Sequence, residues 1–235
     1  MSRRAAIHDR AFDRGEFHSQ LAKWRTSVAA SKGQPICRPN RLADYWWHVE
    51  SGMVRQVRLQ SSGLRCIYDF FLPHEWFVFD GISEDMVIEA VCDGTVLGRY
   101  GRFDLERLAV EDVAIAQLLH DGRNRQIARA EEHIYNLWHQ RSVEKVRVFL
   151  DQMRARLPAR SDGFTPLPMS RYDIGDYLGL SVETVSRALS TLRSRGVVEF
   201  DGVRTLKIAH GLDDHFPFSV PPPLARVARG LPSKR

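Results

Sequence analysis

The chain has 235 residues and a formal net charge of +5 at pH 7, with 43% hydrophobic and 27% charged residues. This composition is typical of a folded protein with one large or two ordinary domains, and because no run of about 18 apolar residues occurs, a membrane-spanning helix is excluded. The first residues contain no apolar segment of the kind a secretory signal needs, so the expected compartment is the cytoplasm. The modest positive charge permits nucleic-acid binding without establishing it.

Residues 39–108 have the pattern of a β domain, and they follow an N-terminal segment, residues 1–38, to which we assign no element. Short runs of β-branched and aromatic residues alternate with glycine and polar turns. They predict strands at Tyr45–Val49, Met53–Leu59, Leu64–Phe71, Trp76–Phe79, Met86–Cys92 and Thr95–Tyr100. Many short strands at this spacing are typical of an antiparallel sandwich or barrel.

A helical pattern follows, because apolar residues recur at steps of three and four from Leu105 to Met153 without a proline. A helix over residues 111–138 would be about 40 Å long, too long for a small β domain to cover. We therefore assign residues 109–141 to a long helix that pairs with its copy in a homodimer. The predicted interface residues are Val113, Ala116, Leu119, Ile127, Ala130, Ile134 and Leu137. The alternative is two helices, interrupted near Asp121–Gly122, that pack within one chain.

Residues 142–211 predict a compact second domain. After a helix over Ser142–Arg156 and a proline-containing loop, the sequence S-R-Y-D at residues 170–173 has the spacing of a helix N-cap. Gly179 is suited to end that helix, and Ser181 to cap the next one. Asp201–Gly202 then lies between two β-rich runs, which indicates a hairpin. The order predicts a winged helix-turn-helix, followed by a tail at residues 212–235.

The second helix of this motif carries side chains suited to reading DNA bases. Steps of three and four place Glu183, Ser186 and Arg187 on one face. The opposite face holds the apolar residues Val185, Leu189 and Leu192. An arginine can donate to guanine O6 and N7, a glutamate can accept from cytosine N4, and a serine can contact a base edge or a thymine methyl group. The alternative is a surface ion pair between Glu183 and Arg187, four residues apart.

The sequence RYDIGDYLGLSVETVSRALSTLRSRGVVEF resembles the DNA-binding domain of the CRP/FNR family of bacterial transcription regulators. Its E-T-V-S-R resembles the E-x-x-S-R motif of the FNR-like and FixK-like branch. The resemblance is specific over residues 170–208 and collinear over residues 39–153. The implied fold class is α+β: an N-terminal antiparallel β jelly-roll domain of the cyclic-nucleotide-binding type, a long dimerisation helix and a C-terminal winged helix-turn-helix.

The resemblance also implies a function. A homodimer would bind double-stranded DNA at a palindrome similar to TTGA-N6-TCAA, with Glu183, Ser186 and Arg187 as base readers. Phosphate contacts are implied for Arg171, Ser181, Thr184 and Arg204. The implied role is that of an activator of genes for low-oxygen or nitrogen-oxide conditions, acting with RNA polymerase in the cytoplasm.

The sequence contains no recognisable motif for binding a cofactor in the β domain. The glycine-glutamate cassette and arginine-serine pair of a cyclic-nucleotide pocket are absent, and an iron–sulfur cluster needs four thiolates where the chain has only Cys37, Cys66 and Cys92. No histidine stands in a ligand motif and no catalytic motif occurs, so we predict no cofactor, no metal and no enzymatic activity. The alternative is a regulator whose β domain binds a small molecule or haem as effector.

Overall fold

The computed structural model describes residues 21–37, 39–61, 63, 65–79, 85–139, 141–202 and 205–208. The strands within these residues are β1 Arg25–Ala30, β2 Tyr45–Ser51, β3 Val54–Leu59, β4 Arg65–Phe71, β5 Trp76–Phe77, β6 Met86–Ala90, β7 Thr95–Gly101, β8 Thr165–Pro166, β9 Val198–Phe200 and β10 Thr205–Ile208. Within the same residues, the α-helices with defined bounds are α1 Arg102–Glu111, α2 Val113–His139, α3 Ser142–Arg156, α4 Arg171–Leu178 and α5 Val182–Ser194, and a 3-10 turn covers Pro39–Asp44. None of these helices is long and apolar enough to cross a membrane.

The β domain is a sandwich of two antiparallel sheets, with strand orders β1-β7-β2-β5 and β4-β3-β6. Because successive residues of a strand face opposite sides, β2 can bury two large aromatic rings. Trp47 lies between the sheets, stacked on Phe77 with 6.5 Å between ring centroids. Trp46 faces outward and is covered by the helices, with its Nε1 donating to Glu106 in α1 at 3.2 Å. The predicted antiparallel β domain is confirmed, with an additional strand, β1, in the segment to which the sequence analysis assigned none.

The long helix is continuous through the position where an interruption was considered. The long helix predicted over residues 109–141 begins later, at Val113, because Asp112 separates it from α1. Asp112 Oδ1 accepts from the backbone N–H of Ala114 at 2.8 Å and of Ile115 at 3.3 Å. Gly122 lies inside α2, where a Cβ would be 3.1 Å from Trp76 Cβ and 3.2 Å from its carbonyl oxygen. The glycine therefore allows α2 to pass close to β5, and the alternative of two helices broken at Asp121–Gly122 is wrong.

The C-terminal elements pack directly onto the β4-β3-β6 sheet. One hydrophobic core continues from the outer face of that sheet into α3, α4 and α5. At its centre the Tyr177 ring lies 5.4 Å from Phe70 and 5.5 Å from Phe149, measured between centroids. This shared core joins the β domain to the helix-turn-helix and the small β8-β10-β9 sheet beside it.

Candidate nucleic-acid interface and helix seam

The first helix of the helix-turn-helix, α4, begins with a complete capping box. Ser170 Oγ accepts from the backbone N–H of Asp173 at 3.1 Å, while Asp173 Oδ2 accepts from the backbone N–H of Ser170 at 2.9 Å. These bonds satisfy two of the backbone N–H groups that a helix start leaves unpaired. Gly179 ends the helix at φ 65° and ψ 39°, the left-handed conformation that favours glycine.

A second glycine allows the close turn between α4 and α5. The backbone N–H of Leu180 donates to the carbonyl oxygen of Gly175 at 3.0 Å. A Cβ at Gly175 would be only 2.5 Å from the carbonyl oxygen of Leu180. The two helices therefore approach closely only because residue 175 has no side chain.

The second helix, α5, has the predicted division into two faces. Its buried residues are Val185, Ala188, Leu189 and Leu192. Glu183 and Arg187 are exposed, and Ser186 is half-buried beside them. The structure thus brings the three predicted base readers together on the outer face of α5.

The contacts on this face arrange the side chains around Ser186 and Thr184. Arg171 Nη1, at the start of α4, donates to Ser186 Oγ at 3.2 Å, and Arg187 Nη2 donates to Thr184 Oγ1 at 3.2 Å. The hydrogen bond from its own backbone N–H, then that from the Ser181 hydroxyl, and the charge of Arg187 hold the pKa of Glu183 below its ordinary value. Glu183 is therefore an ionised acceptor at neutral pH.

The predicted phosphate contacts differ in what the structure says of them. Arg171 and Ser181 are exposed at the starts of α4 and α5, and Thr184 is half-buried one turn into α5. Ser181 Oγ also accepts from the backbone N–H of Thr184 at 3.2 Å and so caps α5. Arg204 lies outside the described residues. Tyr172, 67% exposed next to Arg171, was not predicted, although its position outside the apolar spacing of α4 marks it as a surface residue.

The predicted dimer residues of α2 differ in how far the rest of the chain covers them. Leu119 is 6% exposed and packs into the core beside Trp46 and Trp76, so it is not available to a second copy, and Ala116 is half-buried on the same half of the helix. Val113 is 73% exposed at the helix start. The remaining four form an exposed or half-exposed apolar strip with Trp138, which the sequence analysis missed. We call this strip the helix seam: Ile127, Ala130, Ile134, Leu137 and Trp138.

The sequence of the chain is similar to those of known proteins, and the similarity includes the helix-turn-helix. The family model "Bacterial regulatory proteins, crp family" matches residues 167–198, which include α4 and α5. The "Nitrogen fixation regulation protein FixK" of Rhizobium meliloti (strain 1021) is 34% identical over 177 residues, which are 75% of this chain and 79% of that protein. The chain belongs to the Crp family. It is a FixK-like transcription regulator with a DNA-binding helix-turn-helix, and not an enzyme.

Two further members of the Crp family agree with this assignment. The "Transcriptional activator protein FnrA" of Stutzerimonas stutzeri is 30% identical over 177 residues, covering 73% of this chain and 72% of that protein. The solved structure of FixK2 from Bradyrhizobium japonicum superposes with a TM-score of 0.71 at 38% identity, covering 78% of this chain and 92% of that one. The jelly-roll, long-helix and winged helix-turn-helix order is thus that of the family.

Proposed function

We propose that this chain is a homodimeric activator that binds palindromes similar to TTGA-N6-TCAA and acts with RNA polymerase on genes for low-oxygen or nitrogen-oxide conditions. The observation that carries the proposal is the outer face of α5, where Glu183, Ser186 and Arg187 lie together while the opposite face is buried. An α-helix fits the major groove, where base edges are distinguishable. The names of the relatives support an activator, and the E-x-x-S-R motif supports the half-site.

The half-site chemistry explains why an acidic and a basic residue occur together. TTGA contains one G·C pair, so Arg187 reads its guanine through O6 and N7, and Glu183 accepts from N4 of the paired cytosine. The two residues are one helical turn apart, which suits two bases of one pair. Arg171 and the capped start of α5 contact phosphates, and such contacts set the register of the helix on the duplex.

The helix seam supports a dimer. Ile127 and Ile134 are 51% and 57% exposed, one heptad apart, and Trp138 is 80% exposed. An apolar strip at this spacing is the surface through which two parallel helices pair. A two-fold dimer places its two copies of α5, the recognition helices, about one DNA turn, roughly 34 Å, apart. The palindrome follows from this symmetry.

A cavity of about 670 Å³ lies between β4, α2 and α4 and is the observation that favours the alternative of an effector-binding β domain. Four residues of its wall are also residues of the helix seam: Ile127, Ala130, Ile134 and Leu137. A second copy packed on the seam would therefore cover the cavity. The dimer thus accounts for this apolar wall without a bound ligand. Native mass spectrometry of the purified protein separates the two, because a retained small molecule or haem would favour the effector.

Base reading by Arg187 is tested with Arg187→Ala. We expect the affinity for the TTGA palindrome to fall by about 1–3 kcal/mol for each half-site, because the bidentate contact with its guanine is lost. On a palindrome in which the G·C pairs are replaced by A·T pairs, the variant and the unchanged protein should bind about equally. Fluorescence anisotropy at one fixed salt concentration measures both affinities.

Arg193→Ala is the matched control, since Arg193 is an exposed arginine in the last turn of the same helix. It removes the same charge without the base contact, so any loss should be small and equal on the two duplexes. If Arg187→Ala also weakened both duplexes equally, Arg187 would be a phosphate contact and not a base reader.

A further inference from the structure

Five charged side chains link the β domain to the first helix of the helix-turn-helix. Arg55 of β3 donates to Glu89 of β6, from Nη2 at 2.8 Å, and to Asp173 Oδ1 of α4, from Nη1 at 2.9 Å. Arg65 of β4 donates to the same Asp173 oxygen at 3.0 Å and to Asp176 Oδ2 at 2.7 Å. We call these residues the charge chain. It connects three strands to α4.

The charge chain is largely withdrawn from water. The side chains of Arg55 and Asp173 are 11% and 6% exposed, and those of Arg65 and Asp176 are 26% and 28% exposed. Burial raises the pKa of Asp173, but the backbone N–H of Ser170, together with Arg55 and Arg65, more than offsets it and holds this pKa below the ordinary value. Because removing such charges from water is costly, the net stability gained from buried ion pairs is small, whereas their fixed geometry constrains the elements they join.

Asp173 connects this geometry to DNA reading. One of its oxygens belongs to the capping box that starts α4, and the other accepts from both arginines of the β domain. The turn after α4 is held by the bond from Leu180 to Gly175. Because this turn holds the two helices together, the orientation of α4 determines that of α5, which carries the base readers.

The strand that supplies Arg65 also pairs with α2, the helix that carries the helix seam. Asp69, in the same strand β4, accepts from Nε of Arg129 in α2 at 2.9 Å. Arg129 lies on α2 between Ile127 and Ile134 of the helix seam. A continuous path of packed elements thus runs from the seam through β4 and Arg65 to α4.

We propose that Arg65 is a positioning residue that, through Asp173 and Asp176, fixes the orientation of α5 relative to α2. This orientation determines the spacing between half-sites that the dimer accepts. This inference rests on the proposed function, since it requires a dimer bound to two half-sites. One base pair more or less moves a half-site by about 3.4 Å along the DNA and rotates it by about 35°. Two rigidly held recognition helices cannot follow that change.

The test is Arg65→Met, which keeps much of the aliphatic length of the side chain and removes the guanidinium. Binding is measured on palindromes with the six-base-pair spacer and with spacers one base pair shorter or longer. We expect the preference of the unchanged protein for the central spacer to fall by about 2- to 30-fold in the variant. The preference for G·C over A·T within each half-site should stay unchanged. A general loss of folded protein would weaken binding to every duplex alike and would leave the spacing preference as it is, so it cannot produce the expected result.

Arg58→Met is the matched control. Arg58 lies in the neighbouring strand β3 and pairs with Asp85 at 2.9 Å, so its ion pair stays inside the β domain. This control should keep the full spacing preference. Asp176→Asn removes the negative charge at the other end of the link with a side chain of equal size, although its amide oxygen can still accept from Arg65. It should lower the spacing preference in the same direction as Arg65→Met and by less, which guards against a misfolded variant.

A spacing preference that is unchanged in both Arg65→Met and Asp176→Asn would overturn the positioning role while leaving the proposed function intact. Failure of the unchanged protein to prefer any TTGA palindrome would overturn the proposed function and this inference with it. The two failures are distinguishable because the unchanged protein is measured on every duplex.

Discussion

Replacing Ile134 with glutamate is expected to convert the proposed dimer into a monomer. Ile134 is 57% exposed in the middle of the helix seam. In a two-fold interface each residue of the central layer faces its own counterpart or a close neighbour of it. The substitution would therefore bring two carboxylates together in a surface removed from water, and burying unpaired charges costs several kcal/mol. The folded monomer should persist, because the side chain is exposed within one chain.

Sedimentation equilibrium measures the result directly against the chain mass of 27.0 kDa. Loss of the second half-site contact should weaken binding to the palindrome by about a hundredfold to ten-thousandfold, while binding to a single half-site stays unchanged. The control is Leu59→Glu, which places the same charge at an apolar residue of β3 that is 45% exposed and outside the seam. A variant of Ile134 that still sedimented with twice the chain mass would refute the seam as the interface.

The helix-turn-helix was predictable because its signals are local. Ser170, Asp173 and Gly179 act within one or two turns of their own positions, and each does in the structure what the pattern predicted. The caps need no knowledge of the rest of the chain. The separation of α5 into a buried and an outer face follows equally from helical periodicity.

The elements that were missed depend on distant partners. β1, with the sequence R-T-S-V-A-A, has no clear alternation, and it is a strand because it pairs with β7, Arg25 opposite Tyr100. The periodicity of α2 could not show which apolar positions the β domain covers. Leu119 faces Trp76 in the core, whereas Ile134 faces solvent, although both keep the same helical spacing.

The charge chain could not be predicted either, because its residues are far apart in the sequence. Arg55 and Asp173 are 118 residues apart in sequence, and Arg65 and Asp173 are 108 apart. The capping signal identified Asp173, but only one of its two roles. A carboxylate shared between a helix cap and two arginines of another domain leaves no mark on local spacing.

Replacing Arg129 with methionine is expected to lower the free energy of unfolding by about 3 kcal/mol at pH 7, because it leaves a buried carboxylate without its partner. Arg129 Nε donates to both oxygens of Asp69, at 3.3 and 2.9 Å, and the two side chains are 15% and 10% exposed. Denaturant unfolding at one protein concentration measures the loss. Arg41→Met, which breaks the exposed pair with Asp44, should change stability by less than about 1 kcal/mol.

The pH dependence of this loss identifies its cause. Burial raises the pKa of Asp69 above its ordinary value of 3.8, against the opposing charges of Arg129 and Arg156, and removing Arg129 raises it further. A carboxyl whose folded pKa is raised binds its proton more tightly in the folded state, so stability falls as pH rises from the unfolded pKa to the folded one. The deficit of Arg129→Met should therefore be largest at pH 7 and shrink towards pH 4. Adding Asp69→Asn should recover most of it at pH 7, whereas a deficit independent of pH and of Asp69 would show that Arg129 acts through packing alone.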